Sequence, residues 1–256
     1  MANLEIYQFP CLSDNYGVLI HDADNNVTAS IDAPEASAVK QALAEKGWTL
    51  THILTTHYHA DHTGGNMELK GETDCTIVGP RAEAARVPGI DVEVGDGDAY
   101  DFGSFTAKVF DTPGHTAGHI TYWFPDAGVA FAGDTLFTLG CGRVFEGDAR
   151  TMWTSLSKIR ELPPETVIYS GHEYTQGNAA FALTVEPGNA VLQARAQEID
   201  EMRARGEPTV PTTLARELET NPFLRPDSSE IRANLGMEDA EDYEVFGAVR
   251  AAKDNA

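Results

Sequence analysis

The segment Thr55-Thr56-His57-Tyr58-His59-Ala60-Asp61-His62-Thr63-Gly64-Gly65 constrains this chain more than any other. It leaves a short β-rich run at 52–55, so the period of two sends His57 and His59 to one side, while Asp61 and His62 fall in the turn that follows. Four side chains able to bind a metal thus converge at a strand's end. A lone histidine is more often a loop residue bonded to backbone. With 8 histidines in 256 residues, however, this H-x-H-x-D-H spacing arises by chance in under about one protein in a hundred. Such a cluster needs rigid strands to hold it and further donors to complete it.

Those donors stand after three more apolar runs. His115 follows the turn Thr112-Pro113-Gly114, Asp134 ends Ala130-Phe131-Ala132-Gly133, and His172 follows Ser170-Gly171. A glycine before each lets backbone approach closely and presents the side chain at a sheet's rim. Taken singly, each could be a structural loop residue. Taken with the first motif they make seven donors, too many for one four-coordinate zinc but enough for two metals sharing a carboxylate.

The first two thirds of the chain alternate strand-like runs with turn residues, at 16–21, 27–31, 52–55, 75–78, 105–110, 120–124 and 129–131, with a last strand at 166–169. Helical spacing predicts helices over 35–46, stopped by Gly47, and over 149–162, stopped by Pro163. Beyond that the pattern turns helical, at 191–205, 212–220 and 239–253, which places a domain boundary near Glu173. The expected division is a catalytic domain over 1–173 and a helical substrate-binding domain over 174–256.

Charge narrows the partners. With 40 acidic against 18 basic residues the net charge is -22, which repels nucleic acid and anionic lipid, so an anionic small molecule must be caught by a local cluster of Lys and Arg. Cys11, Cys75 and Cys141 are odd in number and never form a C-x-x-C pair, which argues for a reducing compartment and against a disulfide framework. No apolar run reaches the roughly 20 residues that cross a bilayer, and the first basic residue is Lys40. The expectation is a cytoplasmic monomer with no signal peptide, no membrane partner and no nucleic-acid partner.

The H-x-H-x-D-H motif, Thr112-Pro113-Gly114-His115-Thr116, Gly133-Asp134-Thr135-Leu136-Phe137 and Gly171-His172-Glu173 resemble, in order and spacing, the metallo-β-lactamase superfamily. Further stretches narrow the resemblance to the hydroxyacylglutathione hydrolase (glyoxalase II) family. They are Gly140-Cys141-Gly142-Arg143-Val144-Phe145-Glu146-Gly147, His172-Glu173-Tyr174-Thr175, Glu186-Pro187-Gly188-Asn189-Ala190, Asn221-Pro222-Phe223-Leu224-Arg225 and the Arg250 to Lys253 ending.

The resemblance implies an α/β fold, a metallo-β-lactamase-type αββα sandwich followed by a small all-helical C-terminal domain. It also implies that His57, His59 and His115 bind one divalent metal, that Asp61, His62 and His172 bind a second, and that Asp134 bridges them, which makes Asp61 and Asp134 the catalytic carboxylates. Glutathione contacts are implied for Arg143, Phe145, Tyr174, Arg250 and Lys253. Where many relatives carry Lys and, two residues on, Tyr, this chain has Arg143 and Phe145: the charge survives and a hydroxyl is absent. Imidazole and carboxylate donors suit zinc first, with iron or manganese as alternatives.

The implied reaction is hydrolysis of S-(2-hydroxyacyl)glutathione, such as S-D-lactoylglutathione, to glutathione and D-lactate, the second step of methylglyoxal detoxification. Two metals lower the pKa of a shared water from 15.7 towards about 7, and a thiol of pKa about 8.5 leaves without a strong general acid. A mononuclear-iron persulfide dioxygenase of the same superfamily is the alternative. Cys141 lies in a loop with no adjacent base and is read as neither ligand nor nucleophile. His21, His52 and His119 are read as structural, and Asp32 and Glu173 as supports for the ligands.

Overall fold

The computed structural model describes residues 3–256. These pack as two compact units, the first running to Asp111 and taking in Thr116–Gly133, the second formed by Thr112–His115 and Asp134–Ala256.

The first unit is built on β1 (Leu4–Cys11), β2 (Asn15–Asp22), β3 (Val27–Ile31), β4 (His52–Leu54), β5 (Thr76–Pro80) and β6 (Val92–Val94), which form one sheet in that order. The first three run antiparallel, and β3 to β6 pair parallel, with Ile31 opposite Leu54 and Leu54 opposite Val78. Parallel pairing puts the C-terminal ends of β3 and β4 side by side, where ligands gather in open α/β sheets. The second set, β7 (Ala99–Phe102), β8 (Phe105–Asp111), β9 (Ile120–Phe124) and β10 (Val129–Phe131), is an antiparallel meander. Buried Tyr122 of β9 donates its hydroxyl to the Thr55 carbonyl at 3.1 Å, which ties the meander to the end of β4.

Helix α1 (Ala36–Lys46) covers the first sheet because Ala36, Val39, Ala42 and Leu43 fall on one face. They join Leu19, Ile53, Leu69 and Ile77 in one apolar core, each buried Leu or Ile contributing about 1.5–3 kcal/mol. Gly47, at φ 68°, ends the helix in the left-handed conformation that glycine adopts without strain. Short α2 (Ala60–Thr63) and α3 (Asn66–Thr73) follow β4.

The second unit holds two short antiparallel strand pairs and most of the helices. Strands β11 (Leu136–Phe137) and β12 (Gly140–Cys141) pair with each other, as do β13 (Val167–Tyr169) and β14 (Thr212–Thr213). The helices are α4 (Ala149–Arg160), α5 (Thr175–Val185), α6 (Ala190–Ala204), α7 (Leu214–Thr220), α8 (Ser229–Leu235) and α9 (Asp242–Asp254). Asp148 caps α4 by accepting from the Thr151 amide, and α9 starts on a reciprocal Glu241/Glu244 capping box. Arg195 and Glu217 form a buried ion pair whose remaining side-chain hydrogen bonds go to Thr212, Thr220, Asn221, the Arg216 carbonyl and the Leu139 amide. Removing one partner of such a pair strands the other charge, at a cost of about 3–5 kcal/mol.

The helix expected over 212–220 starts two residues later. Thr212 and Thr213, β-branched and just after Pro211, pair with Ile168 and Val167 before α7 begins. Edge strand β1 escaped the sequence reading because Pro10 interrupts its pattern, which an edge position tolerates. Among the described residues, no helix is long and apolar enough to cross a membrane.

Candidate active site

In the first unit two of the donors, His57 and His62, are oriented by one buried carboxylate. Asp32 follows β3 at φ 56° and donates its amide to the Leu54 carbonyl at 3.0 Å, which brings it beside the end of β4. Its Oδ1 accepts the Thr56 amide at 2.7 Å and its Oδ2 accepts the Thr56 hydroxyl at 2.9 Å. With the Thr56 proton so placed, Thr56 Oγ1 accepts from His57 Nδ1 at 3.0 Å, and Asp32 Oδ2 accepts from His62 Nδ1 at 2.8 Å. Both imidazoles are thereby held with Nε2 bare, the form that ligates a metal. His57 Nε2 lies 3.1 Å from His59 Nδ1, and His62 Nε2 lies 3.7 Å from Asp61 Oδ2.

Backbone packing fixes this loop. Ala33 donates to the His62 carbonyl at 2.7 Å and accepts from the Gly65 amide at 2.8 Å. A Cβ on Gly64 would stand 2.9 Å from the Pro34 carbonyl oxygen, and one on Gly65 2.8 Å from the Ala36 nitrogen, so the pair of glycines is what lets the turn dock. His119 is fully buried and stacks on His57 at 4.8 Å between ring centroids, a packing role. His21 bonds to Thr28 and stacks on Trp48, and His52 bonds to Thr51 and meets Phe102 edge-on, so both serve the core. Burial lowers the His52 pKa.

The second unit brings His115, Asp134 and His172 together. Asp134 Oδ2 lies 3.4 Å from Nε2 of His115 and 3.4 Å from Nε2 of His172, so one carboxylate oxygen faces two imidazoles. His115 turns its Nδ1 to the Arg143 carbonyl at 3.0 Å, which leaves Nε2 as the nitrogen able to bind a metal. The turn before His115 is gripped by α4: Ser155 donates to the Pro113 carbonyl at 2.7 Å, and a Cβ on Gly114, at φ 138°, would stand 2.6 Å from Met152 Sδ. Gly142 lies even closer, since a Cβ there would be 2.0 Å from the Asp134 carbonyl oxygen. Mixed nitrogen and oxygen donors fit a divalent cation, and the buried Asp134 Oδ1 is a second oxygen on the same carboxylate.

All five residues expected to touch glutathione, Arg143, Phe145, Tyr174, Arg250 and Lys253, line one cavity of about 540 Å³ together with His115, Asp134 and Cys141. Tyr174 lies flat on His172, with centroids 4.6 Å apart and planes 5° apart. Phe145 is 60% exposed and its ring centroid is 5.2 Å from that of His115. Three cations share the lining of this pocket in a chain of net charge -22. Arg250 is anchored by the Cys141 carbonyl at 3.0 Å and by Asp254 at 2.8 Å. Burial first, then the neighbouring charges of Arg250 and Arg143, lowers the pKa of Lys253. Burial also pushes the Cys141 thiol up to about 12 against the pull of Arg250, which keeps it protonated and inert near neutral pH.

Glu173 binds the Thr209 amide at 2.9 Å, the Thr209 hydroxyl at 2.6 Å and Arg203 at 3.4 Å, so it anchors the chain just after His172. Sequence reasoning missed Glu83. Its buried carboxylate accepts the Tyr58 amide at 3.1 Å and the Gly118 amide at 2.8 Å, stapling the His57–His59 backbone to the residue before His119. Nothing local marks it, because it sits in a short polar turn over Arg81–Arg86 and its partners are distant in sequence.

The family model described as "Metallo-beta-lactamase superfamily" matches residues 27–172, and that described as "Hydroxyacylglutathione hydrolase C-terminus" matches residues 173–256. The chain is 54% identical to the hydroxyacylglutathione hydrolase of Maricaulis maris (strain MCS10) over 255 residues, 100% of each chain. It is 56% identical to the hydroxyacylglutathione hydrolase of Brucella ovis (strain ATCC 25840 / 63/290 / NCTC 10512) over 251 residues, 98% of each. Among solved structures, ETHE1 from Myxococcus xanthus is similar at a TM-score of 0.67 and 29% identity, covering 97% of this chain and 98% of that one.

Proposed function

Because this chain belongs to the hydroxyacylglutathione hydrolase family, with a metallo-β-lactamase-type αββα sandwich followed by that family's helical C-terminal region, we propose that it cleaves S-(2-hydroxyacyl)glutathione, S-D-lactoylglutathione first, to glutathione and a 2-hydroxy acid. It is a hydrolase, and its His and Asp donors suit divalent metals. The observation that carries the substrate reading is the cavity whose lining includes both the donors His115 and Asp134 and the cations Arg143, Arg250 and Lys253. A glutathione thioester has both features to match: carboxylates for the cations and a carbonyl for the metal.

In this reading His57, His59 and His115 hold one ion, Asp61, His62 and His172 hold the other, and Asp134 is common to both. Imidazole and carboxylate donors of this kind hold divalent metals, and each unit supplies a set: His57 beside His59 and His62 beside Asp61 in the first, His115 and His172 facing Asp134 in the second. Zinc is the proposed metal. Divalent ions bound there would supply a water acidic enough to ionise near neutral pH and Lewis acidity for the thioester carbonyl.

The chain's own residues supply the order. Asp32 and Thr56 keep His57 and His62 in one tautomer, and the Arg143 carbonyl does the same for His115. Arg143, Arg250 and Lys253 hold the peptide carboxylates, while Phe145 and Tyr174 wall the pocket beside His115 and His172. The leaving thiol, with a pKa of about 8.5, departs as thiolate without a protein acid. We assign the ligands to residues 1–173 and most of the tripeptide pocket to 174–256, in a cytoplasmic monomer.

The test is hydrolysis of S-D-lactoylglutathione by metal-replete protein against a chelated control. Fast, chelator-sensitive thiol release supports the reading. No release with metal bound, together with oxygen uptake on glutathione persulfide, would move the assignment to a persulfide dioxygenase.

A further inference from the structure

The β1–β2 hairpin brings a side chain to the metal loop that no motif singles out. Asn15, first residue of β2 and paired with Cys11 across the turn, is 4% exposed. Its Nδ2 donates to the Asp61 backbone carbonyl at 3.2 Å and to the Asp61 carboxylate Oδ2 at 3.3 Å. An amide nitrogen has two hydrogens, and here each finds an acceptor on the same residue. The bond to the carbonyl anchors the Asn15 amide on the Asp61 backbone, and the bond to Oδ2 sets the carboxylate rotamer and keeps it 3.7 Å from His62 Nε2. Asp61 itself is 43% exposed on its side chain, so the clamp works against rotation of its carboxylate towards solvent.

We propose that Asn15 is a positioning residue for the metal site, orienting the Asp61 carboxylate for the ion that Asp61 shares with His62. The two-point clamp acts on one donor and reaches the reaction only through it. The inference rests on the reading of Asp61 as a metal ligand. Orienting partners of ligands typically contribute about 10–100-fold to metal affinity or activity, and a neutral amide donor to a carboxylate belongs at the lower end.

The test compares zinc retention in Asn15→Ala, the near-isosteric Asn15→Leu, Asp61→Ala and the double variant Asn15→Ala/Asp61→Ala, by chelator competition on purified protein. Circular dichroism of the metal-free samples checks the fold. Both Asn15 variants are expected to release one of two zinc ions about tenfold more readily, with kcat lowered and the KM for S-D-lactoylglutathione unchanged. In the Asp61→Ala background, Asn15→Ala is expected to add no further loss. Loss in the alanine but not the leucine variant would make the effect one of packing and overturn the proposal. Full retention in Asn15→Ala with loss in Asp61→Ala would overturn it while sparing the ligand assignment, and full retention in Asp61→Ala would overturn both.

Discussion

The donors of the first unit lie within six residues, His57 to His62, whereas those of the second are scattered from His115 to His172. The first group is organised by hydrogen bonds: one carboxylate, Asp32, orders Thr56 and His62 and, through Thr56, His57. The second takes its polar contacts one at a time, from His115 to the Arg143 carbonyl and from Ser155 to the Pro113 carbonyl, alongside close packing of Gly114 on Met152 and of Gly142 on the Asp134 backbone. Neighbouring donors can thus share one polar support, whereas distant donors need separate ones, and both groups rely on close backbone approach at glycine.

Substitutions at each group separate the two modes. The largest effect is expected for Asp134→Ala, which removes the carboxylate facing both His115 and His172. Thioester hydrolysis should fall roughly a thousandfold or more and bound metal should drop, both measured on the same sample; unchanged activity would sink the two-metal scheme. Next comes Gly142→Ala, whose added carbon must displace the Asp134 carbonyl. A displacement near 1 Å costs about a hundredfold in rate, read as kcat alongside the melting temperature.

Asp32→Asn tests the polar mode. The amide places a donor against Thr56 and His62 where a carboxylate accepted from both, so zinc affinity should weaken by about 10–100-fold. Chelator competition measures it, and an unaffected Asp32→Asn protein would show that packing rather than the Asp32 carboxylate orders the first group.

The smallest effect concerns pH. Lys253 titrates below its ordinary 10.5 because of burial and its cationic neighbours. As pH rises through that lowered value the ammonium is lost, so the dissociation constant of S-methylglutathione, an uncleavable thioether, should rise, and Lys253→Met should remove that limb. The folded chain gives up this proton before the unfolded chain does, so the Lys253 contribution to stability increases with pH between the lowered value and 10.5. Denaturant titrations of both proteins across alkaline pH check the sign.

Strand periodicity and glycine punctuation carried much of the fold. Strands at 27–31, 120–124 and 129–131 have the bounds expected, and α1 and α4 start within a residue of theirs. Elements that break their own pattern were illegible: β1 contains Pro10, and Thr212–Thr213 became a strand only because Val167 and Ile168 were there to pair with. Histidine spacing and Gly-His or Gly-Asp junctions exposed the donors, because those are local features. Which nitrogen of His57 or His62 stays bare, why Glu83 and Asn15 stand behind the ligand loop, and how Arg250 comes to rest on the Cys141 carbonyl are facts of the tertiary structure. Each depends on a hydrogen bond between residues far apart in the chain, and local spacing carries no information about such a partner until the strands have paired and the helices have packed.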